Sequence, residues 1–312
     1  MKNIKKIIVR VVSFALLLSV LMPANVHAQD GYKIGLSMNT QTNPFFVSVT
    51  EGVQDAAKEL GIELIVTDAQ NDPQIQLKDI ENLLSQDLDA LIIDPTDSDA
   101  IISGVEAAND LDVPVFTMDR VSNGGEVVSH IGYDAIKSGN LAAQFLVDSL
   151  DGEGKIVEIQ GIMGTNVAQD RSKGFNDIIS ENPGMEIVSQ QVANFDRAEA
   201  MTVMENILQA NPEIDGVYAA NDEMLLGALE AIEAAGRLDD IIIIGCDGLD
   251  ETLEGIIEGK IEATIAEFPY VLGQSILKVA HSYLEGETVE ENTILDNELI
   301  TAENVNDFVS AE

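Results

Sequence analysis

The chain repeats itself, and the repeat places polar or aromatic residues at corresponding ends of predicted strands. After Asn43, aspartates follow at nearly equal intervals, at Asp68, Asp94 and Asp119. After Arg171, the corresponding positions recur with almost the same spacing, at Phe195, Asn221 and Asp247. Apart from Asn43 and Arg171, each of these residues closes or directly follows an apolar run that predicts a strand. Because ligands collect at the carboxyl ends of parallel strands in open α/β sheets, the repeat predicts two similar lobes around a binding cleft.

Short apolar strands alternate with amphipathic helices through both halves of the chain. Strands are predicted over residues 32–38, 63–68, 90–94, 115–118 and 127–131, and again over 155–160, 185–193, 216–219, 241–246 and 263–266. Helices are predicted from residue 44 to 60 and over 75–86, 98–110, 166–182, 197–210, 223–235 and 273–284. This order predicts an α/β fold of two doubly wound parallel-sheet lobes. The last helix follows the second series, so the chain is expected to cross back to the first lobe through a hinge of several crossings.

The segment from Met1 to Ala28 has the three parts of a secretory signal peptide. Four basic residues precede an apolar segment over 11–22, and Val26-His27-Ala28 offers small residues for cleavage. The apolar segment is shorter than the ~20 residues that span a bilayer; a signal anchor is the alternative. No cysteine stands directly after this segment, so lipid attachment at the new amino terminus is not expected. Export without an anchor predicts a periplasmic location.

The composition is strongly acidic. The chain has 55 Asp and Glu against 16 Lys and Arg, a formal net charge of −39. Cleavage would remove four basic residues and no acidic one, so the charge would become −43 on a chain whose length suits two domains. Such a charge excludes nucleic acid as a partner, because phosphates require a basic face. The acidic residues are spread over helices, which suggests a high-salt environment where self-repulsion is screened.

Cysteine and histidine are too few for a disulfide or a metal cluster. Cys246 is the single cysteine of the sequence, and His130 and His281 stand alone. An internal disulfide is therefore excluded, and no metal or cofactor is expected. We expect structural roles for both histidines.

The sequence lacks the motifs of common reactive centres. It has no nucleophile elbow, P-loop, Gly-x-Gly-x-x-Gly after the first strand, or histidine pair. A candidate ligand set gathers instead: Asn43, Phe45, Phe46, Asp119, Arg120, Arg171, Phe195, Asn221 and Asp247. Carboxylates, amides and guanidinium groups bond to hydroxyls, and aromatic faces cover the apolar side of a sugar ring. The set lacks the excess of cations that a phosphate or carboxylate ligand requires, so it predicts a neutral, hydroxyl-rich ligand and a non-enzymatic function.

Each member of this set also has a purely structural interpretation. Asn43 and Asn221 are candidate helix N-caps. Asp119 and Arg120 could form a surface ion pair. Neighbouring residues of a helix point to different faces, so one of Phe45 and Phe46 is expected in the core. The recurrence of these residues at one edge of both lobes favours the binding interpretation.

Several segments in register resemble the periplasmic ribose-binding protein family over nearly the whole chain after the leader. They are Asn43-Pro44-Phe45-Phe46, Asp94-Pro95-Thr96-Asp97-Ser98-Asp99-Ala100, Asp119-Arg120, Val127-Val128-Ser129-His130-Ile131, Ala193-Asn194-Phe195-Asp196-Arg197 and Asn221-Asp222-Glu223-Met224. The resemblance implies a protein that captures a monosaccharide between two lobes and delivers it to a membrane permease of an ABC transporter. Some family members also present the sugar to a chemotaxis receptor. The family's ligand-contacting positions fall on all nine residues of the candidate set, with the types expected for ribose.

The chain departs from the family pattern at two positions. Cys246-Asp247-Gly248 stands where ribose binders usually have Phe-Asp-Gly, which is expected to remove one aromatic wall. Glu267, which the resemblance adds to the ligand-binding residues, stands where they have glutamine, so a donor and acceptor becomes an acceptor alone. With three carboxylates against two arginines, the ionised site carries −1. Glu267 is therefore protonated, paired with an arginine or met by further ligand donors; alternatively, it turns away towards the hinge.

The expected lobes are residues 30–133 with 268–296 and residues 134–267 with 297–312. The ligand is expected to be ribose or a related pentose or hexose, and the alternative is another polyol or a signalling sugar that serves mainly a chemoreceptor. A sugar-responsive repressor would need an amino-terminal DNA-binding helix pair. A sugar-modifying enzyme would need paired catalytic carboxylates, for which Asp119 and Asp247 are the candidates.

Overall fold

The computed structural model describes residues 31–309. The predicted signal peptide, residues 1–28, lies outside the described residues. The strands are β1 (Lys33–Met38), β2 (Glu63–Asp68), β3 (Ala90–Ile93), β4 (Val115–Met118), β5 (Ser129–Tyr133), β6 (Gly154–Gln160), β7 (Met185–Val192), β8 (Gly216–Ala219), β9 (Ile242–Asp247), β10 (Ala263–Ala266), β11 (Asn292–Leu295) and β12 (Glu298–Thr301). The α-helices are α1 (Pro44–Leu60), α2 (Pro73–Leu84), α3 (Ile102–Asn109), α4 (Ala135–Ser149), α5 (Asn166–Glu181), α6 (Arg197–Ala210), α7 (Asp222–Ala234), α8 (Asp250–Ile257), α9 (Pro269–Leu284) and α10 (Val305–Val309).

Two six-stranded sheets have the same strand order. The first sheet runs β11-β5-β4-β3-β1-β2, and the second runs β12-β10-β9-β8-β6-β7. All pairs are parallel except β10 with β12. We call the sheets with their flanking helices the first lobe and the second lobe. The two-lobed, doubly wound α/β fold predicted from the repeat is confirmed.

The chain passes between the lobes three times. It leaves the first sheet after β5, returns after β10, and leaves again after β11 to add β12 to the second sheet. Helix α9 packs against α1, β3, β4 and β5 of the first lobe, as the crossing predicted from the sequence requires. A hinge of several crossings is thereby confirmed.

Each lobe is held together by apolar side chains on both faces of its sheet. The strands of the second sheet contribute Ile156, Val217, Ile243 and Ile265, all fully buried, to a core shared with the surrounding helices. In the first lobe, successive residues of β3 alternate between two cores, because side chains of a strand point to opposite faces. Buried strands of this kind read as continuous apolar runs, which is why they could be predicted.

Most predicted elements agree with the structure to within a few residues, but five elements were missed. Helices α4, α8 and α10 and strands β11 and β12 were not predicted from the sequence. Strand β5 begins two residues later than predicted, and α3 begins at Ile102 because the preceding segment forms turns. Within residues 31–309, no helix is long and apolar enough to cross a bilayer.

Candidate ligand-binding site

A cavity lies between the carboxyl edges of the two sheets, and residues of both lobes line it. The space between its lining residues is about 280 Å³, part of which is open to solvent. The lining residues are Asn43, Phe45, Phe46, Asp119, Arg120, Val167, Arg171, Phe195, Asn221 and Asp247. All nine residues of the candidate set thus meet in one small cavity. Val167 was missed, although it lies four residues before Arg171 and therefore on the same face of α5.

The two asparagines of the cavity are helix N-caps and also offer donors to the cavity. Oδ1 of Asn43 accepts from Phe45 N at 2.9 Å, and Oδ1 of Asn221 accepts from Met224 N at 3.0 Å. These bonds fix the orientation of each amide. No described residue accepts from either Nδ2 group. Capping and binding are therefore compatible interpretations, because each amide uses a different atom for each role.

Two aspartates present carboxylates that lack donors. Asp119 directly follows β4, and Asp247 closes β9, the equivalent strand of the second lobe. No described residue donates a hydrogen bond to either carboxylate, and the nearest cations lie at 3.7 Å, Arg120 Nε for Asp119 and Arg171 Nη2 for Asp247. Burial raises the pKa of Asp119 to about 6 and holds the pKa of Asp247 well above its ordinary value. Both groups are acceptors for donors that a ligand would supply.

Three lining residues adopt backbone conformations that side chains rarely adopt. The φ angles are 54° at Asp119, 59° at Phe195 and 136° at Asp247. Such conformations cost about 1–3 kcal/mol each and concentrate at functional sites. At Phe195 the ring fills the space above Gly161, where an added Cβ would lie 2.0 Å from Cζ. The surrounding structure therefore holds these side chains in the cavity at an energetic cost.

Arg171 is fixed by contacts on both ends of its guanidinium. Nη1 donates to Ala220 O at 2.6 Å, and Nη2 donates to Glu267 Oε2 at 2.8 Å. Helix α4 packs closely against the backbone of α5 at Arg171. An added Cβ on Gly139 of α4 would lie 2.0 Å from Arg171 O, so only glycine allows this approach. The arginine is thus held by the second lobe before any ligand arrives.

Arg120 lies between aromatic rings of both lobes. Its Cζ is 5.2 Å from the ring centroid of Phe46 and 5.5 Å from that of Phe195, within the range of cation–π attraction. Nη1 donates to Pro95 O at 3.2 Å. Asp119 and Arg120 are both buried, so their ion pair is not the surface pair considered from the sequence.

Phe45 and Phe46 both line the cavity, although neighbouring positions of a helix were expected to point to different faces. Their rings meet edge to face, with centroids 5.2 Å apart and an interplanar angle of 84°. Both occupy the first turn of α1, whose amino terminus is directed at the cavity, so neighbouring positions on the helix can reach it. Both rings also pack into the apolar core of the first lobe.

Glu267 lies beside Arg171 and is not among the residues that line this cavity. Its carboxylate accepts from Arg171 and, through Oε1, from Ser138 Oγ at 3.0 Å. Of the alternatives left open by the sequence, the structure therefore shows pairing with an arginine. Contact between Glu267 and a ligand stays a prediction.

Cys246 is not among the residues that line the cavity, and the loss of an aromatic wall at this position stays a prediction. It is fully buried beneath the site, and Sγ lies 3.6 Å from Glu267 Oε1. Asp247 lines the cavity, whereas Cys246 packs in the apolar core of the second lobe. The side chains of Cys246, Asp247 and Glu267 are close enough together to ligate a metal ion. The guanidinium of Arg171 already supplies the positive charge at that place.

Asp94 is a buried carboxyl that the candidate set omitted. It follows β3, is fully buried, and neither carboxyl oxygen has a hydrogen-bond partner among the described residues. Burial holds its pKa well above the ordinary value, partly offset by Arg120. Asp68, the counterpart of Asp94 on β2, does not line the cavity. Its carboxylate accepts a hydrogen bond from Gln70 N, at a donor–acceptor distance of 2.9 Å.

Hydrogen bonds join the two lobes beside the cavity. Ser98 N donates to Gly164 O at 3.0 Å, and Asn166 N donates to Ser98 Oγ at 3.3 Å. Val121 N donates to Asn166 Oδ1 at 3.0 Å. The structure is thus a closed form, in which direct contacts between lobes supplement those that a ligand would make.

The fold and the cavity define a two-lobed solute-binding protein. Residues 34–288 match the family model described as periplasmic binding protein domain, and the chain belongs to this family. The chain is 42% identical over 269 residues to the ribose import binding protein of Bacillus subtilis, covering 86% of this chain and 87% of the relative. It is 38% identical over 298 residues to the ribose import binding protein of Escherichia coli, covering 96% and 99%.

A solved structure agrees with this assignment. An ABC transporter solute binding protein from Bacillus halodurans with bound myo-inositol superposes with a TM-score of 0.86 at 35% identity, covering 89% of this chain and 98% of that chain. The family resemblance predicted from the sequence is confirmed. The relatives are binding proteins of import systems, so the prediction of a non-enzymatic function is confirmed as well.

Proposed function

We propose that this protein captures a monosaccharide, ribose or a related pentose or hexose, and delivers it to the permease of an ABC transporter. The observation that carries the proposal is the composition of the cavity wall. It offers amide donors from Asn43 and Asn221 and unpartnered carboxylates from Asp119 and Asp247. Sugar hydroxyls both donate and accept, so they satisfy both kinds of group. The names of the two ribose import relatives support ribose in particular.

The proposed ligand-binding residues are the nine of the candidate set together with Glu267. The rings of Phe45, Phe46 and Phe195 would cover the apolar side of the sugar. Capture would close the lobes, which we propose to be residues 30–133 with 268–296 and residues 134–267 with 297–312. The three chain crossings support these boundaries.

Thermal shift with a sugar panel tests this function. The panel contains D-ribose, D-allose, D-arabinose and myo-inositol, with L-ribose as the stereochemical control and ribose 5-phosphate as the charge control. A ligand at 100 times its Kd adds ~2.7 kcal/mol to the unfolding free energy, and we expect D-ribose or one of the other neutral compounds to do so. The phosphate should give no shift, because the cavity has no excess of cations. A panel without any shift would contradict the proposal.

A second candidate is a binding protein for another polyol or signalling sugar that serves mainly a chemotaxis receptor. The myo-inositol bound by a similar solved structure favours this range of ligands. A shift by myo-inositol larger than that by every aldose would support it.

We also propose export to the periplasm after cleavage of the leader behind Ala28. Amino-terminal sequencing of the exported protein should then begin at Gln29. Recovery of the uncleaved chain from a membrane fraction would support the signal-anchor alternative.

A further inference from the structure

The three chain crossings meet beside the ligand-binding arginine. The first crossing follows Tyr133, the second contains Glu267 and Phe268, and the third contains Asn297. Tyr133 Oη donates to Phe268 O at 2.9 Å and accepts from Phe268 N at 2.7 Å, which joins the first crossing to the second. The crossings are therefore bonded to each other as well as to the sheets.

A chain of buried hydrogen bonds leads from Arg171 through all three crossings. Arg171 Nη2 donates to Glu267 Oε2 at 2.8 Å, and Ser138 Oγ lies 3.0 Å from Glu267 Oε1 as its donor. Asn297 Nδ2 donates to Ser138 Oγ at 2.7 Å and lies 3.2 Å from Asp134 O. All four side chains of this chain, which we call the hinge relay, are buried.

Glu267 is the branch point of the hinge relay. Its Oε2 accepts from Arg171, which lines the cavity, and its Oε1 accepts from Ser138 of α4, just beyond the first crossing. A carboxylate can accept at both oxygens, whereas an amide has one acceptor atom and one donor atom. The glutamate is thus suited to join two donors, Arg171 and Ser138.

We propose that Ser138 and Asn297 are positioning residues that act through Glu267 and couple the placement of Arg171 to the closure of the lobes. Rotation of one lobe against the other changes backbone angles within the crossings. The hinge relay spans these crossings in a buried environment, where a broken hydrogen bond leaves polar groups without partners. The closed angle of the hinge and the bound position of Arg171 are therefore favoured together. The inference rests on the proposed function, since it requires a ligand that Arg171 binds.

Ser138→Ala removes the relay hydroxyl without changing a cavity residue. Its matched control is Ser180→Ala on the exposed side of α5, where Oγ donates to Asp177 O at 2.7 Å. We expect calorimetric titration to give a roughly fivefold weaker affinity for Ser138→Ala, the effect of about one hydrogen bond. The factor should be the same for every sugar that binds, because Ser138 touches none. Small-angle scattering at a ligand concentration that saturates the wild type should show a larger radius of gyration for Ser138→Ala.

A double-mutant cycle separates coupling from a general loss of packing. If Ser138 acts through Glu267, the affinity losses of Ser138→Ala and Glu267→Gln must not add in the double variant. Asn297→Ala breaks the relay from its other end and should reproduce the uniform loss of affinity. Additive losses, or a Ser138→Ala variant that binds and closes like Ser180→Ala, would overturn the proposal while leaving sugar binding intact. A wild-type protein that binds no sugar of the panel would instead overturn the proposed function.

Discussion

Nη2 of Arg171 lies 2.8 Å from Oε2 of Glu267, and both side chains are almost completely buried. This pair sets the position of the guanidinium, whose other end is bonded to Ala220 O. Lysine carries the same charge but cannot hold two acceptors in a fixed fork. The site therefore depends on the shape of the arginine as well as on its charge.

We expect Arg171→Lys to lower the unfolding free energy by about 2 kcal/mol, because a buried acceptor loses its partner. Sugar affinity should fall at least about tenfold, which corresponds to ~1.4 kcal/mol. Chemical denaturation and calorimetric titration measure the two effects. Arg237→Lys is the control for affinity, since Arg237 also donates to several acceptors (Asp240, Pro212 O and Ile214 O) but does not line the cavity. Equal behaviour of the two variants would show that the fork geometry of Arg171 is unimportant.

The amide of Asn221 should be separable into its two roles. Serine is as good an N-cap as asparagine but has no amide donor for the cavity. Asn221→Ser should therefore keep the unfolding free energy within about 1 kcal/mol of the wild type and lower sugar affinity about tenfold. The control is Asp196→Ser. Asp196 caps α6 by accepting from Glu199 N at 2.8 Å and does not line the cavity, so this variant should leave sugar affinity unchanged. Unchanged affinity in Asn221→Ser would remove Asn221 from the ligand-binding residues.

The site was largely predictable because strand ends can be located from the sequence. Asp119, Asn221 and Asp247 stand where buried apolar runs stop, and parallel strands bring such positions to one edge. The spacing of the repeat added that both lobes contribute. A cavity between the lobes follows from these two facts, whereas the distances within it do not.

The remaining features depend on contacts that the sequence does not encode locally. Strands β11 and β12 have four residues each, carry partly exposed side chains, and form because a neighbouring strand pairs with them. Helix α4 contains glycine and several small residues, which suit its close packing on α5 but weaken the helical signal. Ser138 meets both Glu267 and Asn297 because three distant segments cross at one place. No pattern in any one segment predicts that meeting.

Sugar affinity should rise with pH around pH 6. Burial raises the pKa of Asp119 to about 6 in the empty protein, and hydroxyl donors of a sugar favour the ionised carboxylate. Binding should therefore release a proton, and affinity at pH 5 should be about tenfold weaker than at pH 7.5. The contribution of Asp119 to the unfolding free energy has the opposite pH dependence. Because its folded-state pKa is raised, this contribution is fully present below the unfolded-state pKa and is lost as the pH rises through about 6.

Titrations at pH 5 and pH 7.5 in buffers of different ionisation enthalpy measure both the affinity and the proton release. Asp119→Asn serves as the control, since it should bind more weakly and lose the contribution of Asp119 to this pH dependence. A wild-type affinity that is constant, or that rises towards pH 5, would contradict the ionised state of Asp119 in the complex.

Salt should stabilise the protein. A formal charge of −39 on the full sequence implies self-repulsion, and the Debye length falls from ~10 Å at 0.1 M to ~3 Å at 1 M salt. Melting curves from 0.1 to 3 M potassium chloride should show a rising Tm, as proposed for a protein of a high-salt environment. Sucrose at matched osmolality is the control for effects unrelated to charge. A flat or falling Tm in potassium chloride would remove the halophile interpretation.

The most direct test of the central claim is a crystal structure grown with the sugar that gives the largest thermal shift. We expect one monosaccharide between the lobes, with its hydroxyls donating to Asp119 and Asp247 and accepting from the amides of Asn43 and Asn221. The phenylalanine rings should cover its apolar side, and the hinge relay should be intact. A sugar bound elsewhere, or a cavity left empty at saturating sugar, would contradict the account.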